Sequence, residues 1–368
     1  MSTFLITGGA GFIGSHLCRE LSEAGHRVRI LDSFVEQAHG AGPPATLPAA
    51  DILRGDVRDP DTVARALQGV DGVFHLAAEV GVGQSMYEIE RYVSANDLGT
   101  AVLMQRLVES EVRRVVVASS MSIYGEGLYV DAGGASDETV RRSPSGVRAG
   151  AWEPTGHDGA PLTPVPTPEG KRPDLASVYA LTKFDQERMT LMLAAAYGIE
   201  AVALRLFNVF GPGQALSNPY TGVLAIFAGR LLNGQAPMVF EDGRQRRDFV
   251  HVRDVARAFR LAMETPGISG EVINIGSGRS YPVEEVARLL AEAMDRDDLG
   301  PQILGKARAG DIRHCFADIS HARRRLGFVP QHALEDSLHE LVAWVSRQQA
   351  SDHVPRAHRE LEQRGLVA

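Results

Sequence analysis

Cysteine is scarce in this chain of 368 residues, with only Cys18 and Cys315 present. Two cysteines so far apart build neither a disulfide framework nor a four-thiolate zinc site, and a reducing cytoplasm suits such a chain. No apolar run approaches the ~20 residues that a membrane span needs. The N-terminal "MSTFLITGG" lacks the basic start, apolar core and cleavage site of a signal peptide. Positive charge is not in excess either. The formal net charge of −8 offers no basic footprint, so neither nucleic acid nor a membrane is expected as a partner. No internal repeat is visible. What remains is an ordinary apolar fraction of 44%, in a chain long enough for one large α/β domain or two lobes.

From Thr3 to about Ser122, short apolar runs of β type alternate with helical periods. "FLIT" leads into an amphipathic stretch from Phe12 to Ala24, then "RVRILD". "DILRGD", "DTVARALQG" and "GVFHLAA" follow, and the helix-like "NDLGTAVLMQRLVES" precedes "RRVVVASS". This alternation predicts an α/β fold, a doubly wound parallel sheet with helices on both faces. Between Glu126 and Ala176 the pattern breaks. That stretch is rich in Gly, Pro, Ser and Asp, and so long an irregular loop is either functional or disordered. Helical period resumes at Tyr179, and "EAVALRLFN" reads as a strand. Beyond about Pro212, helical segments at Val223–Asn233, Val252–Met263, Val283–Ala293 and Leu334–Arg347 mix with short strands, as in a smaller lobe.

"TGGAGFIG" sets Gly8, Gly11 and Gly14 between a strand and a helix. Gly8 permits the tight turn, Gly11 lets backbone approach a pyrophosphate, and Gly14 lets helix pack on strand. The helix N-terminus then turns its unpaired N–H groups toward the phosphates. A glycine triplet alone is weak, since it also serves purely structural turns. Here Asp32 ends the second strand, where it can accept from a ribose 2'-hydroxyl and disfavour a 2'-phosphate. No Arg follows it in "DSF", so NAD is expected over NADP.

"SVYALTK" holds Tyr179 and Lys183 one helical turn apart, on one face. A phenol near its reference pKa of ~10 is a poor base at neutral pH. A nearby ammonium and a positively charged nicotinamide would both favour the phenolate. By itself the pair could be core plus solvated charge. It gains force from "SSMSIYG", Ser119 to Gly125, where a strand ends in hydroxyl residues and Ser120 could complete a hydrogen-bonded set.

In order, "TGGAGFIG", "GDVRD", "HLAA", "NDLGT", "SSMSIYG", "YALTK", "RLFNVFGP", "RRDFVHVRD" and "GDIRHCFADIS" resemble the extended short-chain dehydrogenase/reductases of the NAD-dependent sugar-nucleotide epimerase/dehydratase family. The resemblance runs to about Gln348. It implies a Rossmann NAD-binding domain over residues 1–207, with an irregular insert at 126–176. Residues 208–350 would mainly form a mixed α/β substrate lobe, with segments returning to the main domain, and 351–368 a C-terminal tail. Ser120, Tyr179 and Lys183 fall at the reaction centre. Asp56 and Val57 lie against adenine, and Leu76, Ala77 and Ala78 along the cofactor, with Phe12, Ile13 and Asn96 as further contacts. Ser122 and Phe240 fall on the substrate side, Asn208 at the substrate diphosphate and Asp311 at its nucleotide. Arg247 and Arg308 match phosphate-binding arginines. Surface charge is the alternative for those two, but a diphosphate needs cationic, preferably forked, donors. A nucleotide-sugar substrate and a homodimer complete the expectation.

Relatives that dehydrate a hexose carry an Asp-Glu pair after the hydroxyl residue, where this chain has Met121 and Ser122. Relatives that decarboxylate a uronic acid carry Glu at the place of Ser122. What remains needs one base and a reversible hydride, which is epimerisation at carbon 4 with NAD unchanged overall. Two rivals stand beside it: a net oxidoreductase on a nucleotide sugar, and a binding protein that keeps the fold without turnover. Within the insert, "YGEGLYVDAGG", "WEPTGHDG" and "PVPTPE" resemble epimerases acting on dTDP-L-rhamnose. The Cys-x-x-Cys pairs of that group are missing here, where Asp131, Gly133, Gly156 and Asp158 stand nearby. His157 alone reads as a solvated loop residue, and no metal is expected.

Overall fold

Seven short strands carry the architecture: β1 (Thr3–Thr7), β2 (Arg27–Asp32), β3 (Asp51–Arg54), β4 (Gly72–His75), β5 (Arg114–Ser120), β6 (Glu200–Leu206) and β7 (Val272–Ile275). In the computed structural model they form one sheet in the order β7-β6-β5-β4-β1-β2-β3. Every pairing is parallel. The structure describes residues 1–39, 47, 50–137, 140–220, 222–308, 310–348 and 351–367. A parallel sheet is covered on both faces, so its central strands read as continuous apolar runs. Val115, Val116 and Val117 of β5 are accordingly fully buried.

Leu17, Cys18 and Leu21 of the helix Phe12–Glu23 pack over one face, with Val255, Phe259 and Ala262 of the helix Val252–Glu264. Val63, Leu103, Leu107 and Ala194 cover the other. The chain runs outward from β1 to β3, then returns to the far side of β1 at β4. At that reversal the flanking helices diverge and leave a crevice at the carboxyl ends of the strands. A separate core joins Phe227 and Leu231 of the helix Val223–Leu232 to Leu290 of Val283–Ala293 and Leu338 of Leu334–Val345. Cys18 and Cys315 are buried and unpaired.

Three segments differ from the pattern expected of them. The insert is not wholly irregular. Leu128–Val130, Ser136–Asp137 and Thr163–Val165 pair into a small antiparallel sheet, and Pro144–Arg148 forms one helical turn. These strands hold two or three residues each, too short for a period-2 signal to stand out. The helix expected from Asn96 begins earlier, at Ile89, and passes through a widened π-type turn at Val93–Leu98. Residues 354–363, expected in a tail, form a helix that buries Ala357 and Leu361.

One buried ion pair fixes the helix Val178–Tyr197 to the sheet. Arg205 of β6 donates from Nε and Nη2 to the Glu187 carboxylate at 2.9 and 2.7 Å. Glu187 is fully buried, and the Ser119 hydroxyl also donates to it, at 2.6 Å. Removing one partner leaves an uncompensated buried charge, at a cost of ~3–5 kcal/mol. Glu187→Ala is therefore expected to destabilise the protein by about that amount in urea titration. Glu187→Leu combined with Arg205→Met should lose markedly less. Equal losses in the two variants would show that the charge itself is not what matters.

Candidate active site

A cavity of about 620 Å³ opens along the carboxyl ends of the strands and reaches from Asp32 to Arg308. At one end Gly8, Gly11, Phe12, Ile13 and Gly14 form its floor. Gly8 has φ +69°, and a Cβ there would sit 2.9 Å from Ala77 Cα. A Cβ on Gly14 would meet the Gly8 carbonyl oxygen at 2.5 Å. Gly11 caps the helix Phe12–Glu23 without a side-chain hydrogen bond, so the first N–H groups of that helix stay open to an anion. These features fit a dinucleotide pyrophosphate. Asp32 accepts from Ala10 N and Phe34 N at 3.0 and 2.8 Å and lies on the cavity wall, with His39 Nε2 3.2 Å away. Asp56, Val57, Leu76, Ala77 and Ala78 continue that wall. The Asp56 carboxylate is held by Arg58, which keeps it below its ordinary range.

Asn96 does not join them. It is fully buried and off the cavity wall. Its Oδ1 accepts from Glu79 N at 2.7 Å, and its Nδ2 donates to the Glu79 carbonyl and Thr182 Oγ1. Asn96 thus ties the loop after β4 to the helix Val178–Tyr197.

Ser120, Ser122, Tyr179 and Lys183 line the same cavity, and Ser120 hydrogen-bonds Tyr179. β5 ends at Ser120, and a single 3-10 turn, Met121–Tyr124, follows. The Ser120 hydroxyl accepts from Ser122 N at 3.2 Å and from Ser122 Oγ at 2.9 Å. Ser119, next along the strand, points its hydroxyl the other way, to Glu187. Ser177 caps the helix that presents Tyr179 by accepting from Ala180 N at 3.1 Å, and Tyr179 N donates to Ser85 Oγ. Burial pushes the Tyr179 phenol above its ordinary range, and a hydrogen bond with Ser120 opposes this.

Lys183 is buried, and its Nζ donates to Gln186 Oε1 at 2.6 Å. Behind it His75 is wedged between Thr7 Oγ1 at 2.8 Å and Thr100 Oγ1 at 2.9 Å. Burial pulls the Lys183 ammonium down to about 7, against the raising influence of Glu187 and Asp97. The same burial, with Lys183 nearby, pulls His75 down to about 3. Without a bound cofactor, then, neither phenolate nor ammonium is strongly favoured.

Asn208, Phe240, Arg247, Arg308 and Asp311 line the far end. Arg247 donates from Nη1 to the carbonyls of Arg246 and Arg313, and from Nη2 to that of Ile312. Those bonds fix the guanidinium plane and leave Nε–H and a second Nη2 proton. Arg308 stacks over the Phe240 ring at 4.4 Å and donates to Asp311 Oδ2 at 2.8 Å. Asn208 Oδ1 is buried without a partner among the described residues. Glu79, Tyr220 and Glu241 also line the cavity. They stand in loops without periodic pattern, so no local signal singles them out. Among the described residues no three His, Cys, Asp or Glu side chains converge as metal ligands.

The model of the NAD dependent epimerase/dehydratase family matches residues 4–148 and 155–276. The chain belongs to that family. It is similar to a dTDP-L-rhamnose 4-epimerase of Burkholderia thailandensis, 33% identical over 94% of this chain and 95% of that protein. Among solved structures it is similar to MoeE5 in complex with UDP-glucuronic acid and NAD, with TM-score 0.76, 31% identity and coverage of 94% and 99%. A UDP-glucose 4-epimerase of Thermotoga maritima, solved with UDP-glucose, aligns with TM-score 0.74 and 30% identity over 94% of this chain and 99% of that one.

The sequence contains three lysines, Lys171, Lys183 and Lys306, which makes the titration of Lys183 readable. In the cofactor-free protein, ¹³Cε-lysine NMR should show a resonance, absent in Lys183→Met, with a midpoint near 7. A lowered folded value means that between about 7 and 10.5 the unfolded chain holds a proton the folded one has lost. The lysine's penalty on stability is thus fully present below about 7 and fades as pH rises toward 10.5. The stability difference between Lys183→Met and wild type should shrink over that same range. A Lys183 midpoint close to the ordinary lysine value would overturn this account of its burial.

Proposed function

We propose that the protein is an NAD-dependent nucleotide-sugar 4-epimerase acting on a dTDP- or UDP-linked hexose, dTDP-L-rhamnose among them. One observation carries the choice of reaction within an epimerase/dehydratase family. The strand end beside Tyr179 and Lys183 offers Ser120, Met121 and Ser122 and no carboxylate. The nearby Glu79 carboxylate is engaged by Arg91 at 2.8 Å. Elimination needs a base for the carbon 5 proton and an acid for the carbon 6 hydroxyl, and no such pair follows Ser120. Gly8, Gly11, Gly14 and the open helix N-terminus hold the pyrophosphate of NAD, and Asp32 its ribose hydroxyl.

When bound, NAD supplies reversible hydride acceptance and a positive charge at the nicotinamide. Tyr179 takes the carbon 4 hydroxyl proton and later returns it, Ser120 donates a hydrogen bond at that oxygen, and Lys183 biases Tyr179 toward phenolate. Arg247, Arg308 and Asn208 grip the diphosphate. The nucleotide is thus held more tightly than the sugar, and the 4-keto sugar can turn and be reduced from its other face.

We infer the division stated from the sequence: an NAD domain over 1–207, a substrate lobe mainly over 208–350 and a C-terminal segment at 351–368. Its support is the separate apolar core around Phe227 and Leu338. A homodimer through the helices around Leu98 and Leu181 is supported by exposed Val93, Leu98, Leu181 and Met192 on those helices. No helix among the described residues is long and apolar enough to cross a membrane. The buried, unpaired cysteines are compatible with a cytoplasmic setting.

The test is an isotope experiment by NMR on candidate dTDP- and UDP-hexoses. Deuterium at carbon 4 should be retained in the epimer, no external NAD(H) should be consumed, and no solvent deuterium should enter the ring. Incorporation at carbon 3 or 5, or a 4-keto-6-deoxy product, would sink the assignment. Stoichiometric NADH would instead favour a net oxidoreductase. Tyr179→Phe should lose ~10²–10⁴-fold in turnover while its NAD content stays near that of wild type.

A further inference from the structure

The insert sends one arginine across to the far end of the cavity. Arg142 is almost fully buried and touches three separate segments. Its Nε donates to Glu126 at 3.0 Å, its Nη1 to Glu241 at 2.6 Å, and its Nη2 to the Asp311 carbonyl at 2.8 Å. Glu241 and Asp311 line the cavity, and Arg142 does not. Glu241 is held at φ +53°, a conformation unfavourable for a residue with a Cβ. It persists because both carboxylate oxygens are engaged, one by Arg142 and the other by Arg313 Nη1 at 2.9 Å. Arg313 is itself fully buried, with Glu153 of the insert and Asp242 completing its partners. Glu126 also receives the backbone N–H groups of Arg313 and His314.

The turn 310–313 is therefore tied to the insert on one side, and on the other it runs into the strand His314–Cys315 that pairs with Arg246–Arg247. That turn carries Asp311, which pairs with Arg308, and the Ile312 and Arg313 carbonyls that orient Arg247. We propose that Arg142 is a positioning residue for the diphosphate and nucleotide end of the site. It sets the places of Arg247, Arg308 and Glu241 without lining the cavity itself. The inference rests on the nucleotide-sugar reading above and assigns the insert a part in substrate binding. Arg142 suits the task because a guanidinium donates in three directions in one plane, whereas an ammonium is a point donor on a flexible stem. Loss of that group leaves Glu126 and Glu241 short of a buried cation, and the turn then relaxes.

The experiment uses the full chain, with UDP and dTDP as calorimetric probes and the preferred nucleotide sugar for kinetics. Arg142→Met should weaken binding of the tighter nucleotide about tenfold or more. It should raise KM in proportion and lower kcat far less. NAD released on denaturation should stay at the wild-type level, since the glycine turn lies at the other end of the cavity. Arg142→Lys keeps the charge but not the fork, so it should fold and show a partial rise in KM. That variant decides the matter if Arg142→Met fails to fold. A folded Arg142→Met, or an Arg142→Lys, with wild-type Kd and KM would overturn the proposal. Wild type that binds neither UDP nor dTDP would overturn the nucleotide-sugar reading and this inference with it.

Discussion

The buried contact between Glu187 and Arg205 decides where the helix Val178–Tyr197 lies against the sheet, and the rest of the site inherits that decision. Arg205 belongs to β6 and Ser119 to β5, and both reach the same carboxylate. The helix is thereby locked in rotation and translation over those strands. Because Tyr179 and Lys183 stand on the preceding turns, this lock brings them beside the end of β5, where Ser120 turns its hydroxyl into the cavity. A charge pair is a directional constraint that apolar packing cannot supply.

The same burial that gives precision carries an electrostatic penalty. Lys183 sits among groups that cannot solvate an ammonium well, so its charge is disfavoured in the protein alone. Tyr179 is likewise pushed toward its neutral form. The protein therefore does not hold a ready base. A positive charge placed in the cavity, such as that of a nicotinamide, would favour the phenolate. Gln186, with His75 and Thr100 behind it, holds the lysine in place meanwhile.

At the opposite end, order is imposed from outside the sheet. Arg247 lies on the two-residue strand Arg246–Arg247, paired with Tyr281 and Cys315, whereas Arg308 comes from a loop, and a loop holds a position only where something else fixes it. Here the fixing groups are Glu126, Arg142 and Glu153, all from the insert. The cavity thus has one end built on the rigid glycine turn and another where a short sheet carrying Arg247 is joined by ionic contacts to distant loops.

Much was legible in the residues alone. The alternation of strand and helix, "TGGAGFIG" and the spacing of Tyr179 and Lys183 are local patterns. Local geometry suffices to place glycines in a turn and two side chains on one helical face. The strand-end serines carried the reaction class for a similar reason, since what stands next to Ser120 is a matter of chain order. The partners of Asn96, Glu79 and Thr182, were not legible, since Thr182 stands 86 residues away in the chain. The insert's partners could not be read at all. Arg142 meets Glu241 and Asp311 across 99 and 169 residues of chain, and no periodicity links them. The sequence by itself determined the alternation of strands and helices, the glycine turn and the shared face of Tyr179 and Lys183, because each depends on neighbours within one element or turn. Only the tertiary structure decided how the substrate end is held, because buried charges choose partners by distance in space.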